Sequence, residues 1–382
     1  MGEKKYKIVF CTPALYMAGG VERVLTLKAN YFAEQFDYDI TIILTEGKEK
    51  PLFYPLSNKI KVVNLGINFE DLWTCSFFKK VFLYLKKQWK YKKKLKKELL
   101  RIRPDITDSL LRREINFIND IQDGSKKIGE LHVNRANYRN FEANETNYLK
   151  ELFSRFWIAS LVKQLKRLDK FVVLTEEDKT SWTELSNVIA IPNPISFETG
   201  QTSPLTEKRV LLVGRYAYQK GIDLLLKAWA IVEKECPDWQ LAVYGAGERE
   251  PYEKIKDDLG IDPIRCHLNG NTSKIQYEYL NSSLFVISSR FEGLSMAMLE
   301  ALSCGLPVVS FACPCGPQDV IEDGINGFLV PREDIQALAK SMIQVMKSPE
   351  MIHSMGHAAK RRSEDFKMDV IANRWKQLFE SL

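Results

Sequence analysis

Residues 284–310 read LFVISSRFEGLSMAMLEALSCGLPVVS. Leu284–Ile287 is an apolar run of the kind that lies in a sheet covered on both faces. A polar turn follows, then a segment with a good N-cap at Ser295, a helix beginning near Met296, and a stop at Gly305. A second apolar run, Leu306–Val309, closes the stretch. Strand, helix, strand implies a crossover connection and two parallel strands. Two acids interrupt this apolar stretch, Glu292 in the turn and Glu300 inside the helix.

The same alternation extends in both directions. Upstream stand RVLLVGR, a helix over 221–235, WQLAVYG, a helix over 248–259, HLNG and a helix near 275–282. Downstream come FLV and about 50 residues of helical pattern ending in VIANRWKQLFESL. The N-terminal half repeats the scheme: KIVFCTP, a helix from about Val21 to Phe36, YDITIILT, KVVNLG, a basic segment, then DITDSLL, KKIGELHV and KFVVLT. IPNPI at 191–195, followed by polar ISFETGQTSPLTEK, is the best linker candidate. The expectation is α/β architecture in two successive doubly wound domains, 1–195 and 196–365, with a C-terminal helix at about 366–382 joining the first.

Composition bounds the function. The 382 residues are 45% hydrophobic, enough to bury a core in each half. No apolar run reaches the length of a membrane span, and the opening MGEKKYKIVF lacks the layout of a signal peptide, so a cytoplasmic location is expected. Seven cysteines read as reduced thiols. Cys313-Pro-Cys315 has no second Cys/His pair at ligand spacing, and Asp37-Tyr38-Asp39 precedes a strand rather than following one, so no metal site is expected. The net charge of +6 is uneven: Lys79–Arg103 carries +11 and leaves −5 for the remainder.

Ligands of open α/β sheets sit beyond the carboxyl ends of the strands, and each polar motif falls in such a turn. The eight residues from Glu292 to Glu300 span at most ~12 Å if helical, about the separation of the two ends of a nucleotide diphosphate sugar. The helix start between them offers free N–H groups to a diphosphate. A turn cap and an exposed helix residue would account equally for the two acids. In GRYAYQKG, 214–221, Gly214 ends a strand and Arg215 and Lys220 flank a turn, a guanidinium fork plus a point charge. A solvated basic loop is the plain alternative. Gly19-Gly20 sits in the first strand-to-helix turn, where paired glycines allow close backbone approach to a ligand, or make an ordinary tight turn. Neither a G-x-G-x-x-G fingerprint nor a P-loop accompanies it.

Arg215 with Lys220, then Glu292-x7-Glu300 followed by ALSCGLPVV, resembles the family 4 retaining glycosyltransferases of the GT-B fold. The likeness is close over most of 205–332 and looser at AGGVER, IPNPI and the final Trp-containing helix. It implies two Rossmann-like domains facing across a cleft, with an acceptor-binding N-terminal domain and the donor nucleotide on the C-terminal one. By this resemblance Arg215 and Lys220 bind the donor diphosphate, Glu300 accepts from the ribose hydroxyls and Glu292 faces the transferred sugar. Gly19, Gly20, Gly214, Gly245, Gly293, Leu294 and Ser295 would line the donor site. His132 matches a histidine kept beside the donor sugar, although the local sequence is ELHVN rather than the usual EHN. A satisfied core histidine is the other reading of it.

In SFFKKVFLYLKKQWKYKKKLKKELL, residues Phe78, Val81, Phe82, Leu85, Trp89, Leu95 and Leu99 roughly follow helical spacing, with lysines over much of the rest. A basic amphipathic helix at about 77–103 suits an anionic membrane surface or a lipid-linked pyrophosphate; a core-packed helix with a solvated face is the plain alternative. No nucleic-acid-binding module is recognisable, so nucleic acid is not an expected partner. The expected activity is retaining transfer from a nucleotide diphosphate sugar, a UDP-sugar above others, to a glycan acceptor, lipid-linked, on the inner membrane face. No cofactor or metal is expected. A sugar-nucleotide epimerase on the same fold and a non-catalytic nucleotide-sugar binder are the rival readings.

Overall fold

The computed structural model describes residues 4–72, 74, 76–138 and 158–382. Two compact units divide it. One comprises the chain to Leu174, Lys179–Ile191 and Ala372–Leu382; the other comprises Thr175–Asp178 and Pro192–Ile371. The change of unit at Ile191/Pro192 falls at the first residues of IPNPI, and the return falls inside the helix Met368–Glu380.

The first unit holds a seven-stranded parallel sheet: β1 Lys7–Thr12, β2 Asp39–Leu44, β3 Lys61–Asn64, β4 Ile106–Ser109, β5 Lys126–Glu130, β6 Lys170–Val173 and β7 Val188–Ala190. Their order is β3-β2-β1-β4-β5-β6-β7. The second holds six parallel strands: β8 Arg209–Val213, β9 Gln240–Tyr244, β10 Cys266–Asn269, β11 Leu284–Ile287, β12 Val308–Phe311 and β13 Gly327–Val330. These run β10-β9-β8-β11-β12-β13, so both sheets reverse direction beside their first strand. Those switch points, β1/β4 and β8/β11, are where doubly wound sheets open a crevice for ligands. This is two Rossmann-like α/β domains, as the alternation predicts. Only β7 escapes the sequence reading: its three half-buried residues carry too short a pattern.

The opening stretch folds as read. All four residues of β11 and of β12 are buried, and the helix between them runs Met296–Ser303. Ser295 is its N-cap in extended conformation, and Gly305 at φ +75° turns the chain away after its end. Asp39 opens β2 at its amino end and pairs with Lys61 at 3.0 Å.

The basic segment is a helix, Phe77–Ile102, but its apolar residues do not form one face. Tyr91, Leu95 and Leu99 are buried with Val9, Ile43 and Phe117 of the core. Val81, Phe82, Leu85 and Trp89 face solvent, with Phe82, Leu85 and Trp89 at 68%, 62% and 67% exposure. At 100° per residue, Trp89 and Tyr91 lie about 200° apart, so an inward stripe in the second half gives way to an outward ridge in the first. The ridge lies on the part of the helix that meets the turns at the carboxyl ends of β3 and β4. Lys87 Nζ donates to Ile67 O at 2.9 Å, and Gln88 Nε2 donates to Arg113 O at 3.3 Å, in the turns beyond β3 and β4.

Candidate active site

The turn after β8 and the turn after β11 are stitched into one structure. Gly221, at φ +59°, lets them meet: a Cβ there would lie 2.0 Å from Ser288 O. Ser288 Oγ donates to Lys220 O at 2.9 Å, the Arg290 N–H to Gln219 O at 2.8 Å and Gln219 Nε2 to Phe291 O at 3.1 Å. Arg290 also donates to both Asp223 oxygens, at 2.9 and 2.7 Å, and to Tyr218 O at 2.8 Å. A buried guanidinium fork of this kind is geometrically demanding, so it fixes the turn rather than merely neutralising a charge. Buried Tyr216 pins the same turn from beneath, its hydroxyl donating to Asn269 O at 2.9 Å. Gly245 approaches so closely that a Cβ would fall 1.9 Å from Gly214 O.

This scaffold presents Lys220 to Glu292. Nζ donates to Glu292 Oε1 at 2.6 Å, and Ser289 Oγ donates to the same oxygen at 2.6 Å. Glu292 is therefore a buried, hydrogen-bonded carboxylate rather than a solvent-facing turn cap. Gly214 lies under the Lys220 stem, where a Cβ would stand 3.2 Å from its Cδ. A small pocket at this point is lined by Leu212, Val286, Lys220, Ser289, Glu292 and Ser295. The Ser295 side chain makes no capping bond, and the Met298 and Leu299 N–H groups donate to Ser295 O at 3.2 and 3.3 Å, so the helix start has its N–H ends turned towards this pocket. Gly293 and Leu294 lie beside Gly316, whose Cβ would sit 3.0 Å from Gly293 O. Arg215 is exposed, with its guanidinium 3.4 Å from Gln219 Oε1.

Glu300 is not the exposed helix residue that one reading of the sequence allows. It is 3% exposed; Ser196 Oγ donates to Oε1 and Tyr279 OH donates to Oε2 at 2.8 Å. A carboxylate has about four acceptor positions, and these two donors hold one oxygen each. Sequence reading missed Ser196, Tyr279, Ser289, Arg290 and Asp223. Ser289 and Arg290 lie within the opening stretch, but neither residue type announces its partner.

His132, Gly19 and Gly20 belong to the first unit, and the other named residues to the second. His132 lies two residues beyond β5, with Nε2 3.3 Å from Glu130 Oε2. Gly19 is the N-cap of the helix Gly20–Glu34, and a Cβ on it would meet Glu22 Oε2 at 1.9 Å. Gly20 has nothing within 4 Å of its would-be Cβ.

Residues 197–362 match the family described as Glycosyl transferases group 1. An uncharacterized glycosyltransferase of Haemophilus influenzae is 29% identical, over 97% of this chain and 99% of its own length. A GalNAc-alpha-(1->4)-GalNAc-alpha-(1->3)-diNAcBac-PP-undecaprenol alpha-1,4-N-acetyl-D-galactosaminyltransferase of Campylobacter jejuni is 27% identical, over 94% and 95%. A mutant S. aureus TarM, crystallised with fondaparinux, alpha-GlcNAc-glycerol and UDP, superposes with a TM-score of 0.76 at 17% identity, over 98% and 99% of the two chains. The fold is GT-B, and the family match and bacterial relatives support a glycosyltransferase of group 1.

Proposed function

We propose that the chain is a retaining family 4 glycosyltransferase. It moves a sugar from a nucleotide diphosphate donor, a UDP-sugar, to a lipid-linked glycan acceptor at the cytoplasmic face of the cell membrane. The observation that carries this reading is the Lys220–Glu292 contact of 2.6 Å beside the start of Met296–Ser303. A cation and a helix N-terminus together suit a diphosphate. The neighbouring carboxylate suits the sugar, whose anomeric carbon gains positive charge as the leaving phosphate departs. Arg215 would close on the diphosphate from solvent, and Glu300 would take the ribose hydroxyls. Gly214 and Gly245 keep the turns low enough for a nucleotide to approach; Gly19, Gly20 and His132 would serve the donor from the first unit. The leaving phosphate itself accepts the proton of the attacking hydroxyl, on the same face of the sugar. The lysine, arginine and helix N–H groups ease departure by stabilising the diphosphate.

Glu300→Ala is expected to weaken free-nucleotide binding by about 1–3 kcal/mol, the scale of a charged hydrogen bond. Calorimetry returning an unchanged affinity removes the ribose assignment. No metal enters this mechanism, so transfer is expected to persist in EDTA; complete loss on chelation, restored by magnesium or manganese, refutes that part. Product analysis with a labelled UDP-sugar, with and without acceptor, tests the reaction class. An epimerised nucleotide sugar in the absence of acceptor overturns transfer, as does binding without turnover.

No helix among the described residues is long and apolar enough to cross a membrane. The ridge Phe82, Leu85 and Trp89, bordered by Lys86, Lys90 and Lys93, suits insertion at an anionic surface instead. The Campylobacter relative is named for a PP-undecaprenol-linked substrate, which supports an acceptor held in a membrane.

A further inference from the structure

The first unit buries more charge than its scaffold needs. Lys28, in the middle of the helix Gly20–Glu34, and Glu130, at the end of β5, are each 3% exposed in the side chain and form an ion pair. Asp108 of β4 is fully buried, with Oδ2 3.9 Å from Lys28 Nζ, and neither of its oxygens has a hydrogen-bond partner among the described residues. The Lys28 ammonium is covered by the Trp375 ring at 3.9 Å and the Phe10 ring at 4.9 Å. Glu130 Oε2, the oxygen turned away from Lys28, stands 3.3 Å from His132 Nε2.

We propose that Lys28 and Asp108 are positioning residues that clamp the Glu130 carboxylate so that it, in turn, orients His132 for the transfer reaction. This rests on the reading that His132 serves the donor sugar. One ammonium faces two carboxylates here, so the cluster is neutral only if it holds one further proton. A buried anion without donors is expensive, whereas a protonated Asp108 becomes a donor itself. Burial, then the charge of Glu130, push the Asp108 carboxyl well above the usual range; Lys28 and His132 overcome burial to hold Glu130 below it. The Cys11 thiol of β1 also lies in the field of Asp108. With the Glu130 carboxylate fixed by Lys28 and by the Asp108 proton, Nε2–H of His132 has a set acceptor. Nδ1 is then the nitrogen left to meet a ligand. A core histidine satisfied for stability alone would not need a carboxylate held by two further buried groups.

The sign of the linkage gives one readout. A folded-state carboxyl raised above its unfolded value favours folding below the unfolded midpoint and loses that advantage as pH rises towards the folded one. Asp108→Asn abolishes this loss. Its melting temperature, relative to the unmodified protein, is therefore expected to improve as pH rises from the ordinary carboxylate range towards neutrality. A difference independent of pH overturns the protonated Asp108.

The second readout is catalytic. Asp108→Ala leaves Glu130 without its proton donor; the pair Lys28→Met with Glu130→Gln removes both charges while keeping the volume, and so is expected to fold. Both are expected to lower kcat at least about tenfold with the donor KM within about twofold, the split of a misoriented group rather than lost binding. Asp108→Asn, whose amide donates to the same carboxylate, is expected to recover much of the loss. Unchanged kcat in the double variant, or an Asp108→Asn no better than Asp108→Ala, overturns the clamp. Full activity of His132→Ala overturns instead the reading of His132 on which it rests.

Discussion

Lys220→Ala is expected to lower kcat by about 10²–10³, the usual cost of removing one preorganised group that stabilises charge in the transition state. A second loss comes with it. Lys220 Nζ is bonded to Glu292 Oε1 at 2.6 Å, and the two side chains are 17% and 6% exposed. Truncating the lysine strands a mostly buried carboxylate, with Ser289 Oγ as a remaining donor at 2.6 Å. Breaking fully buried pairs costs about 3–5 kcal/mol of stability, and the partial exposure here puts the expected value at or below the lower end. Lys220→Met combined with Glu292→Gln removes both charges at similar volume. Its melting temperature is expected to return most of the way, while turnover stays as low as in the single variant. Turnover that recovers together with stability would show that Lys220 only holds the turn and binds no diphosphate.

The second large effect concerns membrane docking. Lys94 is not available to a membrane, since it donates to Leu65 O, and Lys92 is paired with Asp120 at 2.9 Å. Lys86, Lys90, Lys93, Lys96 and Lys97 are exposed. Each basic residue near an anionic surface contributes about 1 kcal/mol, so replacing these five by Gln is expected to weaken binding to anionic vesicles by between about three and four orders of magnitude. Salt should erase the same contribution, because it decays within a Debye length of about 10 Å at 0.1 M. Phe82, Leu85 and Trp89 should behave oppositely. Their burial, up to about 1.5–3 kcal/mol each, does not depend on ionic screening. Ser at these three positions is expected to abolish the salt-resistant remainder of binding seen by vesicle flotation. Donor hydrolysis should survive both sets of changes, and transfer to a lipid-linked acceptor should fall far more than transfer to a short soluble one. Absence of vesicle binding by the unmodified protein, or equal losses with both acceptors, would make the ridge ordinary surface.

The strands of both sheets, β7 excepted, and their parallel arrangement were within reach of the sequence, because buried parallel strands such as Leu284–Ile287 are continuous apolar runs and crossover helices separate them. The helix Met296–Ser303 was legible to the residue, since Ser295 and Gly305 punctuate it. The two faces of Phe77–Ile102 were not. Apolar residues at helical spacing state that a helix has a stripe, but the core alone decides which turn of it is covered. Partners across the chain were equally hidden: Ser196 and Tyr279 reach Glu300 from 104 and 21 residues away. Asp108 and Lys28 looked like ordinary strand and helix residues, since nothing in ITDS or in TLKAN marks either as buried.

The helix Met368–Glu380 has a consequence for synthesis. Ala372–Leu382 belong to the unit built from the first half of the chain, where Phe379 packs within 6.1 Å of Tyr6 and 5.6 Å of Phe32. These residues leave the ribosome only after the whole of Pro192–Ile371. The earlier-made unit must therefore wait, its aromatic cluster open and the Lys28 ammonium uncovered by Trp375, while the later-made one can already close. Order of translation and order of completion are reversed. A nascent chain arrested before Ala372 should expose that cluster to chaperones, whatever the state of Pro192–Ile371.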